Sequence, residues 1–197
     1  MLLEASWESL EDAGVPAAVG GETTPAGVYV GLMTQDYYMM LATSQTKVDI
    51  GTEFGAPANR ISYFFGFTGP SVVSATLCSS SLTALHLAMQ GIAVDRLPFA
   101  VVAGVTAIST PSVTDFYAVT GNLSPDYRCK SFDSRANGLI RGEGVGAVVV
   151  KPAAAAEDSG DLIHAIVLGT GVNHGGRSQG LAAPNGPAHQ ALIRGAL

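Results

Sequence analysis

The sequence predicts an α/β domain, and three observations carry the prediction. Hydrophobic residues make up 47% of the 197 positions while only 13% are charged, glycine and alanine recur throughout, and short β-branched runs alternate with stretches of helical spacing. A chain of this length and apolar content fills a substantial core, and a composition rich in small residues suits packed sheets and helices better than a bundle.

Taken in order, Leu3, Trp7 and Leu10 share one helical face, Glu4, Glu8 and Glu11 share the other, and Gly14 and Pro16 end the pattern. A chain that opens inside a helix, without a capping segment, reads as one that begins upstream, with Met1 an internal residue. After a Gly/Pro-rich connection, 27–31 reads as a buried strand and 58–65 as a helical or mixed segment rich in aromatics. Residues 71–77 form a β-branched strand that runs directly into Cys78, Ser79, Ser80 and Ser81, after which Leu82, Leu85, Met89 and Ile92 take up helical spacing. Residues 99–107 are another buried strand, 113–119 a helix and 145–150 a strand after a long irregular loop. Residues 153–161 read as a linker, 163–169 as a further strand and 187–197 as a helix.

The composition excludes several functions. With a net charge of −6 and ten Lys and Arg scattered along the chain, no basic cluster exists to neutralise phosphates, which argues against nucleic acid. Cys78 and Cys129 are too few for a disulfide framework and lack the spacing of a zinc site, so no metal is expected and a reducing cytoplasm is the simplest setting. The acidic first turns are unlike a signal peptide, and no uninterrupted apolar run reaches about 18 residues, so no membrane partner is expected. The sequon at Asn122, Leu123 and Ser124 is taken as chance.

Cys78 is the candidate catalytic residue. A strand that turns straight into a helix at a cysteine sets the sulfur at a helix N-terminus, where free N–H groups and the macrodipole favour the reactive thiolate. The same geometry aims backbone N–H groups, that of Cys78 included, at an oxygen bound beside the sulfur, which is half of an oxyanion hole. The small Ser79, Ser80 and Ser81 admit a substrate and cap the helix. On this pattern alone, a buried packing cysteine is the commoner outcome.

The run Gly69, Pro70, Ser71, Val72, Val73, followed by Thr76, Leu77, Cys78, Ser79, Ser80, Ser81 and Leu82, closely resembles the active-site signature of β-ketoacyl synthases of modular polyketide synthases. The resemblance continues through Leu123 to Asp126, Arg128 to Asp133, Gly138 to Gly146, Asn173 to Gly176 and Ala183 to Pro187, and back to Leu2 to Glu4 and Trp7 to Gly14. It covers essentially the whole chain in family order. Leu77 and Ala75 depart from the family's Ala and Asp at those positions, and Asn137 stands where Asp is usual.

The resemblance implies a thiolase-like fold, layered α-β-α-β-α and here incomplete at both ends. Residues 1–152 would be the N-terminal half of the ketosynthase domain without its start, 153–161 a linker, and 162–197 the beginning of the C-terminal half. It implies an acyltransferase that takes an acyl group on Cys78 and performs decarboxylative Claisen condensation with a malonyl-type extender. No cofactor is bound directly; substrates ride on the phosphopantetheine of an acyl carrier protein, and the partners are that carrier, other polyketide synthase domains and a second copy in a homodimer. The family's two catalytic histidines belong to His-Gly-Thr-Gly-Thr and Asn-Ile-Gly-His motifs, neither of which is in this sequence. Two alternatives stay open: a non-condensing Cys acyltransferase relative, and an inactive truncated remnant.

The remaining features have plain readings. His86, His164, His174 and His189 are read as non-catalytic, as is Cys129 between Arg128 and Lys130. The glycines from Gly142 to Gly146 precede a strand, the reverse of a dinucleotide loop, and serve tight turning. Arg141 and Glu143 are expected in an ion-pair network beside that turn, and Phe116 and Tyr117 in core packing rather than an acyl pocket.

Overall fold

A computed structural model describes residues 1–16, 23–44, 49–181 and 183–197, so most of the Gly/Pro-rich connection after Pro16 lies outside the described residues. The elements are helix α1 (Leu2–Asp12), strand β1 (Gly27–Leu32), helices α2 (Asp36–Thr43) and α3 (Ala56–Phe65), strand β2 (Ser71–Ser74), helix α4 (Ser80–Val94), strand β3 (Ala100–Thr106), helix α5 (Ser112–Val119), strand β4 (Gly144–Val150), and helices α6 (Ala153–Ser159) and α7 (Gly186–Ala196).

The four strands form one sheet in the order β2-β1-β3-β4. Strand β1 is parallel to both β2 and β3, and β4 runs antiparallel to β3, with Tyr29 beside Val72 on one side and Val102 on the other. The alternation of β1 and β3 divides the core into two. Val28, Val30, Val101 and Ala103 face Leu10 of α1 and Ala58, Ile61 and Phe65 of α3, whereas Tyr29, Ala100 and Val102 face Ala84 and Ala88 of α4. Helices therefore cover both faces of the sheet. A row of rings closes the first face: Phe65 lies 5.5 Å from Phe67 and Phe67 5.6 Å from Phe99, centroid to centroid. Complete burial of Ile61 and Phe65 contributes about 1.5–3 kcal/mol for each side chain.

Helix α4 departs from its amphipathic reading. The residues it buries are Ser80, Ala84, Ala88 and Gly91, while Leu82 is exposed. Small side chains let the helix axis approach the sheet, and the larger Leu85 and Ile92 pack beside that contact. The 18-residue stretch Leu77–Val94 is long and apolar enough by composition to cross a bilayer, but here it lies against β1, β2 and β3.

Three more readings differ from what is observed. The strand expected over 71–77 ends at Ser74, because Leu77 takes a left-handed conformation (φ 57°) and starts a 3-10 turn, Leu77–Ser79, that leads into α4. No strand forms over 163–169: strands exist by pairing, and no described segment of the chain lies alongside to supply a ladder. The expected linker 153–161 carries α6, whose alanines are strong helix formers and whose end is Gly160 in the left-handed region. Helix α2 has no counterpart in the sequence reading.

Candidate active site

The elements bring Cys78 to the carboxyl ends of β1, β2 and β3. Its turn is held by serines: Ser80 Oγ accepts the N–H of Thr76 (3.0 Å) and donates to the carbonyl of Leu77 (2.6 Å), while Ser79 Oγ donates to the carbonyl of Thr76 (2.8 Å). Ser80 is buried, so these bonds over-determine a turn in which Leu77 bears a left-handed backbone that costs a non-glycine residue about 1–2 kcal/mol. Cys78 sits in the 3-10 turn just before α4 rather than on the helix's first residue, and its thiol is free and exposed.

Two glycines allow this approach. A Cβ on Gly31 would stand 2.5 Å from the backbone N of Ser81, and one on Gly104 would strike the Ser81 side chain. With hydrogen in both places, the start of α4 rests directly on β1 and β3.

Beside the thiol opens a cavity of about 540 Å³. Its lining includes Met33, Leu77, Cys78, Ser81, Val105 and Thr106, and across from the thiol turn the stretch from Gly142 to Gly146 that leads into β4. The glycine run thus begins a strand and forms a wall. Arg141 precedes it and Glu143 lies within it, but the two do not form one ion-pair network. Arg141 donates to Thr114 Oγ1 (2.8 Å) and pairs with Asp36 at 3.9 Å, whereas Glu143 Oε1 accepts the backbone N–H of Ile108 at 2.6 Å.

The histidines lie elsewhere, and none lines the cavity. His86 bonds Thr170 and Gln90 through its two ring nitrogens, His164 pairs with Asp12, and His174 Nδ1 accepts the N–H of Gly176. Backbone bonding of His189 to Asn185 belongs to the first turn of α7. Phe116 and Tyr117 stack edge to face at 5.8 Å but enter neither the core nor the cavity: α5 buries no residue, and Phe116 is exposed. Cys129 is exposed, 3.8 Å from Ser131 Oγ and away from the cavity. In the same loop Asp126 receives Lys130 Nζ (2.5 Å) and Ser124 Oγ (2.5 Å), which hold its carboxyl down at about 2; the Asn137 amide adds to the effect.

The sequence reading found Cys78 and its serines and missed Gly31, Met33, Gly104 and Asp36. An isolated glycine at the end of each strand pattern was the available signal for close approach.

A mixed sheet covered by helices on both faces, with a cysteine on a strained strand-to-helix turn, places the chain in the thiolase-like class. The family model for the N-terminal domain of β-ketoacyl synthase matches residues 1–156. The chain belongs to the β-ketoacyl synthase family, in the branch of modular polyketide synthases. It is 43% identical over 201 residues to the pikromycin polyketide synthase component PikAII of Streptomyces venezuelae, covering 100% of this chain and 5% of that one. It is 40% identical over 202 residues to the erythronolide synthase EryA2 of Saccharopolyspora erythraea, covering 100% of this chain and 6% of that one. Among solved structures, the ketosynthase from module 6 of the bacillaene synthase of Bacillus subtilis superimposes with a TM-score of 0.89 at 37% identity, over 98% of this chain and 34% of that one. A Streptomyces albus oxazolomycin ketosynthase domain gives 0.88 at 41%, over 100% and 34%. The chain thus spans about a third of these ketosynthase structures and a small part of the synthases.

Proposed function

We propose that this chain supplies the acyl-accepting part of a condensing ketosynthase. The observation that carries the reading is the exposed thiol of Cys78 on its clamped turn beside the cavity. In the first step Cys78 Sγ attacks the carbonyl carbon of an acyl thioester carried on the phosphopantetheine of an acyl carrier protein. The carbon–sulfur bond to the carrier breaks, the carrier thiol leaves with the proton given up by Cys78, and the backbone N–H of Cys78 steadies the transient oxyanion. In the second step a malonyl-type extender loses carbon dioxide and its enolate carbon attacks the Cys78 thioester. A carbon–carbon bond forms and the Cys78 thiolate departs.

The second step needs neutral imidazole donors for the enolate oxygen, and these belong to the two histidine motifs absent from this sequence. Other synthase domains, a second copy in a homodimer and a cytoplasmic setting complete the proposal; two free thiols fit a reducing compartment.

The test is labelling of the complete synthase protein that carries this chain with an acyl-pantetheine, read by peptide mass spectrometry. Label is expected on Cys78 and absent from Cys78→Ala. Label spread equally onto Cys129, or unaffected by Cys78→Ala, would sink the assignment.

A further inference from the structure

The wall of the cavity opposite Cys78 has an unusual mechanical property. A Cβ added at Gly142, Gly144 or Gly146 would meet nothing within 4 Å, so from Gly144 onward the wall is held by the pairing of β4 with β3 and not by packing at the glycines, while Gly142 and Glu143 stand ahead of that ladder. Side chains of Arg141 and Glu143 fix the end that lies ahead of the strand. Arg141, with a side chain only 10% exposed, reaches from the start of the wall to Thr114 of α5 and to Asp36 of α2, three residues beyond the lining residue Met33. Asp36 is a carboxylate 1% exposed at its side chain, neither of whose oxygens has a hydrogen-bond partner among the described residues, so the Arg141 guanidinium is its one paired charge there. A buried carboxylate without its counter-charge is strongly disfavoured, and this pins Arg141 in place. Glu143, itself part of the lining, accepts the N–H of Ile108 and so ties this end of the wall to the chain two residues past Thr106, also in the lining.

We infer that Arg141 and Glu143 are positioning residues that set where the Gly142 end of the wall stands relative to the Cys78 thiol and thereby the fit of the acyl group. The inference rests on the reading of Cys78 as acyl acceptor. Misplacing reacting groups by about 1 Å costs on the order of 100-fold in rate, so a wall freed at its Gly142 end is expected to weaken acyl binding by roughly tenfold or more.

The experiment measures the loading rate of Cys78 against butyryl-pantetheine concentration in the complete synthase protein. Glu143→Ala is expected to raise the half-saturating concentration about tenfold with little change in the limiting rate, and Glu143→Gln, which keeps an acceptor for Ile108, to stay near the parent value. Arg141→Ala strands the Asp36 charge and is expected to destabilise the fold as well. The double variant Asp36→Leu with Arg141→Met removes both buried charges, recovers the unfolding midpoint and still shows the raised half-saturation. Parent-like half-saturation in both Glu143→Ala and the double variant overturns the inference. So does an equal fall in stability and loading that the Gln variant fails to rescue. Labelling that survives Cys78→Ala overturns instead the reading beneath it, and the inference with that reading.

Discussion

Replacing Gly31 with alanine tests whether strand β1 and the first turn of α4 hold the nucleophile in place. The added methyl would lie 2.5 Å from Ser81 N, 2.6 Å from Ser81 Cα and 2.7 Å from the Ser80 carbonyl carbon, where ordinary contact begins at 3.4 Å. All three neighbours are backbone, so no rotamer change relieves the clash; β1 and α4 must separate by about 0.9 Å. Interiors packed to crystal density resist that, and overpacking of this kind costs about 3 kcal/mol, equivalent to a fall of roughly 6–12 °C in unfolding midpoint for a domain of about 200 residues. Because Cys78 stands three residues before Ser81 in the same turn, the displacement carries the sulfur with it, and loading from an acyl-pantetheine is expected to fall on the order of 100-fold. Gly104→Ala is the graded comparison: its methyl meets the Ser81 side chain, whose hydroxyl can turn away, so about 1 kcal/mol is expected. Gly195→Ala in α7, where a Cβ meets nothing within 4 Å, is the control. Scanning calorimetry with thiol-loading mass spectrometry decides the matter, and Gly31→Ala with the midpoint and loading of Gly195→Ala would refute the reasoning.

Other outcomes follow from the same structure. Phe65→Ala removes a fully buried ring at one end of the row and is expected to cost about 3–5 kcal/mol in urea unfolding; a loss under about 1 kcal/mol contradicts the packing described. Asp126 titrates near 2, below its ordinary 3.8, so the order it gives the loop is present above that ordinary value and is lost as pH falls through about 2, which carboxyl NMR follows directly. Asn137→Asp replaces an amide that favours the Asp126 carboxylate with a second carboxylate, and the Asp126 midpoint is expected to rise; an unchanged midpoint rules that contact out. Expressed alone, the 197-residue chain is expected to be poorly soluble, since Phe132, Leu168 and Leu181 stand almost fully open, and a monodisperse monomer in sedimentation would contradict this.

The central strands β1 and β3 were readable because their β-branched runs are largely buried, and the edge strand β4 because its valine run is β-branched though mostly exposed; 27–31, 99–107 and 145–150 each fall within a residue or two of β1, β3 and β4. Cys78 was readable because its serines form a local motif. What escaped was decided by side-chain bonds and by partners distant in sequence. The left-handed turn at Leu77 depends on Ser80, buried beneath it, and the far wall depends on Asp36, more than a hundred residues before Arg141. The apolar run at 163–169 misled because its composition suits a strand while pairing requires a neighbour. Spacing in α4 pointed to the large residues, whereas closeness to the sheet selected the small ones.

The reversed direction of β4 gives the sheet a working end and a quiet end. Its amino end, Gly144, pairs with Thr106 at the cavity, while its carboxyl end, Val150, pairs with Ala100. Six residue steps along β3 separate the two ends by about 20 Å. The exposed turn at Asp95 and Arg96, just ahead of β3, therefore sits at the end remote from the thiol. A fluorophore or affinity tag attached there leaves the nucleophile's surroundings intact, whereas the same attachment near Gly142 would occupy the cavity, even though both positions are loops at the border of a strand.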